Sequence, residues 1–271
     1  MFRLSREVRF AINAQPDAQL SGRPSNAYGG FPSLTGLGHY FTLEVTLSGA
    51  LDAASQYVRN IKDIDDAVRR LAIGRIERHI RERTFGGGAQ VVVELFGILR
   101  DAWPGATLEQ LKWGLSPFLH YAVRAEDFQP DRPEHSMVRL SQKFEFSASH
   151  RLHNPSLSDQ ANRDTFGKCN NPHGHGHNYE VQVTLAGEPD AGGVLVDVPV
   201  FERIVAEAAI DRFDHKNLNV ELPEFEDVIP SVENIARAIY RLLKPRFSDS
   251  RGKLASVTVW ETPKTSCEYS E

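Results

Sequence analysis

The chain has 271 residues, 41% of them hydrophobic and 25% charged, enough apolar material for a buried core in one large domain or two ordinary ones. Its formal net charge of -5 leaves no basic surplus to neutralise a phosphate backbone, which argues against a nucleic-acid partner. Cys169 and Cys267 are its two cysteines, so no disulfide framework is implied, and the charged opening Arg3-Leu4-Ser5-Arg6-Glu7 predicts no signal peptide.

In chain order, Leu4-Ser5-Arg6-Glu7-Val8-Arg9-Phe10 alternates with the period of a half-buried strand. Gln15 to Gly36 is rich in Pro, Gly and Ser and is expected to be a loop without regular structure. Gly36 to Leu47 leads into a second strand, and Ile64, Ala67, Val68 and Leu71 recur at helical spacing. The apolar segment Val91 to Trp103 has no obvious counterpart later in the chain and reads as an inserted or lengthened helix. Its longest apolar run, Val91 to Leu99, is interrupted by Glu94 and too short for a bilayer; the expectation is a soluble cytoplasmic protein with no membrane partner.

The pattern then begins again. Leu140-Ser141-Gln142-Lys143-Phe144-Glu145-Phe146 repeats the opening strand, and Gly174-His175-Gly176-His177-Asn178-Tyr179-Glu180-Val181-Gln182-Val183-Thr184-Leu185 repeats the stretch that starts at Gly36. Phe201, Ile204, Val205 and Ala208 mark a helix whose first turn tolerates Pro199. Ser231 is a plausible N-cap for a second helix with the stripe Ile235, Ile239, Leu242 and Leu243, and Leu254 to Glu261 with Thr265 to Tyr269 reads as a closing antiparallel pair. The expected fold class is α+β: two ββααββ units, each an antiparallel sheet with helices on one face, over residues 1–130 and 138–271 and joined near Pro130 to Pro133.

His175 and His177 sit two apart on a strand, so both imidazoles project from one face, and His150 ends the strand before it. Three imidazoles with a vacant fourth position describe a catalytic zinc site. Cys169, in Gly167-Lys168-Cys169-Asn170-Asn171-Pro172-His173, reads either as a fourth ligand or as a thiolate base beside Lys168. Asp214-His215 reads as a loop ion pair or as a proton-handling pair. Cys267, His79, His120, His135, His153 and His173 have no partner that the sequence names.

Four stretches carry a resemblance: Phe146-Ser147-Ala148-Ser149-His150-Arg151-Leu152, Cys169-Asn170-Asn171-Pro172-His173-Gly174-His175-Gly176-His177-Asn178-Tyr179, Asp214-His215-Lys216-Asn217-Leu218 and Trp260-Glu261-Thr262. In that order they resemble the 6-pyruvoyl tetrahydropterin synthase family, across Leu140 to Glu271. The resemblance implies the fold called the T-fold, here in tandem, assembling into barrels with active sites between subunits. It further implies zinc on His150, His175 and His177, Cys169 as base, and Asp214 orienting His215 as a proton relay. Glu261, with Ser231 and Glu233, would contact a pterin ring. The implied substrate is 7,8-dihydroneopterin triphosphate, and Arg151, Lys168 and Lys216 are candidate phosphate cations.

A 6-carboxytetrahydropterin synthase of the queuosine pathway is the alternative within the same family, and Val232 stands where a hydroxyl residue is common there. From another class, a zinc-stabilised pterin-binding module without turnover is also considered. The first copy carries Ala14 and Leu37 in the places of His150 and His175 and keeps only His39; Glu77-Arg78 replaces Asp214-His215, and Glu126 lines up with Glu261. It is expected to be non-catalytic, and the assembly to be a homo-oligomer of three chains.

Overall fold

The structure, a computed structural model, describes residues 1–14, 34, 37–84 and 86–271. The expected loop Gln15 to Gly36 lies, apart from Leu34, outside the described residues. The chain divides into two units: Met1–Leu140 with Ala186–Leu195, and Ser141–Leu185 with Val196–Glu271. Among the described residues, no helix is long and apolar enough to cross a membrane.

In the first unit, β1 (Phe2–Asn13) pairs antiparallel with β2 (Gly38–Gly49) over its whole length. The antiparallel series continues through β3 (Ala106–Gly114) to β4 (Leu119–Arg124). Strand alternation sends Val8, Phe10 and Ile12 to the same buried face as Phe41, Leu43, Val45 and Leu47. The helix α1 (Ile61–Val68) starts at Asn60, whose side chain accepts the Lys62 N–H, and passes through a π turn at Arg69–Ile73 into α2 (Gly74–Glu82). Its buried stripe is Ile64, Val68, Ala72 and Ile76.

The segment read as an inserted or lengthened helix is a helix, but it has a counterpart in the second unit. It forms α3 (Gly88–Leu99), which buries Val91, Val92, Leu95 and Leu99 and packs on β3 and β4. That is the place of the second helix of the unit. The sequence concealed it because α3 is apolar nearly all round, whereas its counterpart in the second unit is strongly amphipathic.

The second unit runs β5 (Val138–His150), α4 (Asp159–Phe166), β6 (His175–Gly187) and α5 (Val198–Val205), whose N-cap Asp197 accepts the Val200 N–H. A π turn at Ala206–Ile210 leads to α6 (Asp211–Phe213), the short β7 (Lys216–Asn217) and α7 (Leu218–Glu221). After α8 (Val232–Leu243) come β8 (Lys253–Thr262) and β9 (Thr265–Tyr269), an antiparallel pair. The sheet order is β5-β6-β8-β9, with β7 parallel to β5. The stripe Ile235, Ala236, Ile239 and Leu243 of α8 packs on β8 and β9.

Several contacts recur at matching places in the two units. Phe10 meets Phe41 at 5.7 Å between ring centroids, and Phe146 stacks on Tyr179 at 4.8 Å. Ser5 and Thr46 share a hydrogen bond of 2.8 Å, Ser141 and Thr184 one of 2.9 Å. A strand-to-helix polar contact joins Arg6 to Asp65 and Gln142 to Glu202. The π turn interrupts the first helix of both units.

One alignment does not hold in space. Glu126 lies in the turn Ala125–Asp127 after β4, whereas Glu261 precedes the β8–β9 turn. The residue that precedes the β3–β4 turn is Leu115, whose N–H donates to the Leu119 carbonyl. Matching by sequence alone slid past this because the connections before the two hairpins differ in length.

Candidate metal centre

Strand alternation places His150 on the buried face of β5 with Phe146 and Ala148, and His175 and His177 on that of β6 with Tyr179. β6 starts at His175, so both histidines are strand residues, as their spacing predicts. Gly174 makes the entry turn at φ +73, and a Cβ there would lie 3.0 Å from the His150 carbonyl oxygen. The three rings converge, with centroids 4.6 Å apart for His150 and His175, 5.2 Å for His150 and His177, and 4.8 Å for His175 and His177. One nitrogen from each ring lies within 4.8 Å of the others, a grouping that could hold a metal ion.

The donor set fits such an ion on its own chemistry. The His150 Nδ1–H donates to the Pro230 carbonyl at 2.7 Å, which turns the Nε2 lone pair inward, toward His175 Nε2 at 3.1 Å. His175 Nδ1 and His177 Nε2 are buried and without a hydrogen-bond partner. Buried polar nitrogens are rarely left in that state. Burial pushes His150 down from the ordinary imidazole value, against the raising effect of the Pro230 carbonyl, and burial likewise lowers His177. Both are thereby kept neutral, the form that ligates.

Glu261 faces the trio. It sits where the β8–β9 register shifts between Trp260 and Thr262, a bulge that re-aims the side chain. Its Oε1 lies 3.3 Å from His150 Nε2 and 3.6 Å from His177 Nε2. Ser231 and Glu233 begin α8 directly after Pro230, so the helix start and the His150 partner are one continuous segment. Ser231 occupies the N-cap position, but its side chain does not cap a backbone N–H; its hydroxyl instead holds the Glu233 carboxyl below the usual range.

The loop between β5 and β6 contains α4, capped by Ser158, and a 3-10 turn, Gly167–Asn170, that carries the half-buried Cys169. The Leu152 N–H donates to the Cys169 carbonyl at 2.9 Å and ties that turn to the end of β5. Cys169 does not belong to the ligand group of three histidines. Burial first, then the neighbouring Glu261 and Cys169, push the Tyr179 phenol far above the ordinary tyrosine value.

Asp214 and His215 are joined to each other by a 2.7 Å contact between Asp214 Oδ2 and His215 Nδ1. The helix ends at Phe213 and His215 takes φ +56; in the first unit the helix continues to Glu82, which leaves Glu77 and Arg78 helical. Among the described residues, the pair makes no hydrogen bond or ion pair with the trio, and the His215 side chain is 82% exposed. It borders a cavity of about 560 Å³ with Ser147, Ser149, His177, Asn178 and Lys216 among the lining residues.

Of the candidate phosphate cations, Lys216 is committed to Glu221 at 3.2 Å, and Arg151 donates to Asn170 at 3.1 Å. Several histidines without an evident role have ordinary partners: His79 meets Glu94 and Thr84, His135 meets Glu188, and His153 meets Asn170. Sequence reasoning missed Pro230, because the group that orients His150 is a backbone carbonyl with no side-chain signal.

An α+β unit with a three-histidine centre, faced by a carboxylate and bordered by a cavity, defines a class of protein that could hold a metal ion there. The profile of the 6-pyruvoyl tetrahydropterin synthase family matches residues 139–271. Human 6-pyruvoyl tetrahydrobiopterin synthase is 42% identical over 133 residues, 49% of this chain and 90% of that protein. The 6-carboxy-5,6,7,8-tetrahydropterin synthase of Haemophilus influenzae is 28% identical over 156 residues, 50% of this chain and 100% of that protein. A solved structure of Caenorhabditis elegans 6-pyruvoyl tetrahydropterin synthase is 38% identical, covers 51% of this chain and 97% of its own, and has a TM-score of 0.48. The chain belongs to the 6-pyruvoyl tetrahydropterin synthase family.

Proposed function

We propose that the chain is a zinc-dependent 6-pyruvoyl tetrahydropterin synthase, a lyase that converts 7,8-dihydroneopterin triphosphate with loss of triphosphate. The observation that carries this reading is the convergence of His150, His175 and His177 with Glu261 aimed at them. Zinc held by the trio would supply Lewis-acid polarisation of the substrate's side-chain oxygens. Cys169, outside the ligand group, acts as the base that takes a proton from the substrate side chain. His215 relays protons, with Asp214 holding its imidazole through Nδ1. Glu261 anchors the pterin ring by accepting from its N–H groups, and Ser231 and Glu233 contribute at the start of α8. Arg151 and Lys168 are the cations assigned to the triphosphate.

The two units are proposed as a tandem T-fold, a reading supported by their common element order and matching contacts. The first unit is assigned a non-catalytic role: Ala14 and Leu37 stand at the places of His150 and His175, and Leu115 at that of Glu261. The proposed assembly is a homo-oligomer of three chains in the cytoplasm, with sites between subunits, where the exposed Asp214–His215 pair is available to a neighbouring copy.

Incubating the purified chain with 7,8-dihydroneopterin triphosphate and identifying products by mass spectrometry tests the reading. A 6-pyruvoyl product with released triphosphate supports it. A 6-carboxy product would replace it with the queuosine-pathway activity, and bound pterin without turnover would replace it with a binding module.

A further inference from the structure

The segment that follows α6 lies along β5 as a continuous clamp. Asp214 Oδ1 accepts the Ser147 N–H at 2.8 Å, and the His215 N–H donates to the Ser147 carbonyl at 2.6 Å. Parallel pairing then sets Lys216 against Ala148 and Asn217 against Ser149. At that point the backbone turns away into α7, and the pairing ought to stop. It is carried one step further by a side chain. Asn219 Oδ1 accepts the Arg151 N–H at 2.7 Å, and Asn219 Nδ2–H donates to the Arg151 carbonyl at 2.9 Å.

A carboxamide presents one donor and one acceptor in the arrangement of a peptide group, so Asn219 stands in for the missing rung of backbone. The side chain is itself held in place. The Asn219 N–H donates to Asn217 Oδ1 at 3.1 Å, Glu221 Oε1 accepts the Asn217 N–H at 2.8 Å, and Leu218 is fully buried. The residue between the last backbone pair, at Ser149, and the Asn219 rung, at Arg151, is His150.

We infer that Asn219 is a positioning residue for His150, fixing the strand end that aims its imidazole into the three-histidine centre. This inference rests on the proposed reading that the trio holds a metal. The backbone of His150 is braced on both sides by the clamp, while Pro230 orients its ring. Partners of this kind around a metal site typically change affinity by about 10- to 100-fold when removed.

The test is a Co2+ titration of the metal-stripped full chain, followed by the visible absorption of the bound ion. Wild type, Asn219→Ala, Asn219→Asp and the control Ser141→Ala are compared, together with the unfolding midpoint of each metal-free protein. Asn219→Asp keeps the size of the side chain but loses the donor and sets a carboxylate against the Arg151 carbonyl. Both Asn219 variants are expected to bind Co2+ about ten-fold more weakly, with an altered absorption band, while Ser141→Ala keeps wild-type affinity. Wild-type affinity and spectrum in a folded Asn219→Ala overturn the inference. If that variant does not fold, the same result in Asn219→Asp overturns it. Failure of the wild type to bind Co2+ removes the metal reading and this inference with it, whereas binding that is equal in all four proteins removes this inference alone.

Discussion

The Nε2 atoms of His150 and His175 face each other at 3.1 Å, inside a site where His150 is fully buried. The His150 proton is on Nδ1, bonded to Pro230, so its Nε2 meets the second ring as a bare lone pair. His150 Nε2 is thus an acceptor, open to a proton donated by His175 Nε2 or to a cation held between the rings, and burial lowers the affinity of His150 for a proton of its own. A divalent cation satisfies both nitrogens and His177 as well. The chain is therefore expected to carry one zinc, as measured by elemental analysis of the purified protein. His150→Ala should lose it and His39→Ala should retain it; two zincs per chain would contradict a metal-free first unit.

Cys169 is a half-buried free thiol outside the group of three histidines. Cys169→Ala is expected to keep its zinc and lose turnover by about 10²- to 10⁴-fold, the usual contribution of a positioned base. Zinc content and rate measured on one preparation separate the two roles. Loss of zinc together with rate would make the thiolate a ligand.

The Asp214 carboxyl is held below its ordinary value of 3.8, first by the Ser147 N–H and then by His215. A carboxyl whose folded-state pKa is depressed stabilises the fold above its unfolded value and loses that contribution as pH falls through the folded one. Asp214→Asn should therefore melt below wild type at neutral pH, and the two curves should converge in acid below 3.8. Melting temperature recorded against pH decides it; a gap that widens toward acid would reverse the sign and refute the assignment.

Ser141 and Thr184 share a buried hydrogen bond of 2.9 Å. Ser141→Ala leaves the Thr184 hydroxyl unpaired and is expected to cost about 1–3 kcal/mol, whereas Ser141→Ala with Thr184→Val should recover most of that loss. Denaturant titration of the single and double variants measures both. Equal losses in the two would show that the hydroxyl pair is not the source.

Much of this architecture is written locally. The period-two alternation of Phe146 and Ala148 with Ser147 and Ser149 already sends His150 inward, and His175 and His177 follow the same rule on the next strand. Repetition of these local patterns announced two units of strands and helices. The place of α3 was illegible because a helix apolar on all sides shows no face, and only its packing on β3 and β4 identifies it. Glu126 misled for a related reason: residue spacing does not reveal where a hairpin turns.

What the sequence determined by itself was the kind of chemistry, since three imidazoles on neighbouring inward positions need only short-range geometry to be recognised. The tertiary structure decided how that chemistry is held. Pro230 orients His150 from 80 residues away, the β8–β9 bulge turns Glu261 toward the three histidines, and Cys169 stays outside their group. Each of these depends on long-range pairing of backbone groups, and backbone groups are the same at every position. A residue code therefore carries no mark of which carbonyl or which bulge will meet a side chain, until the sheet and helices have packed and brought them together.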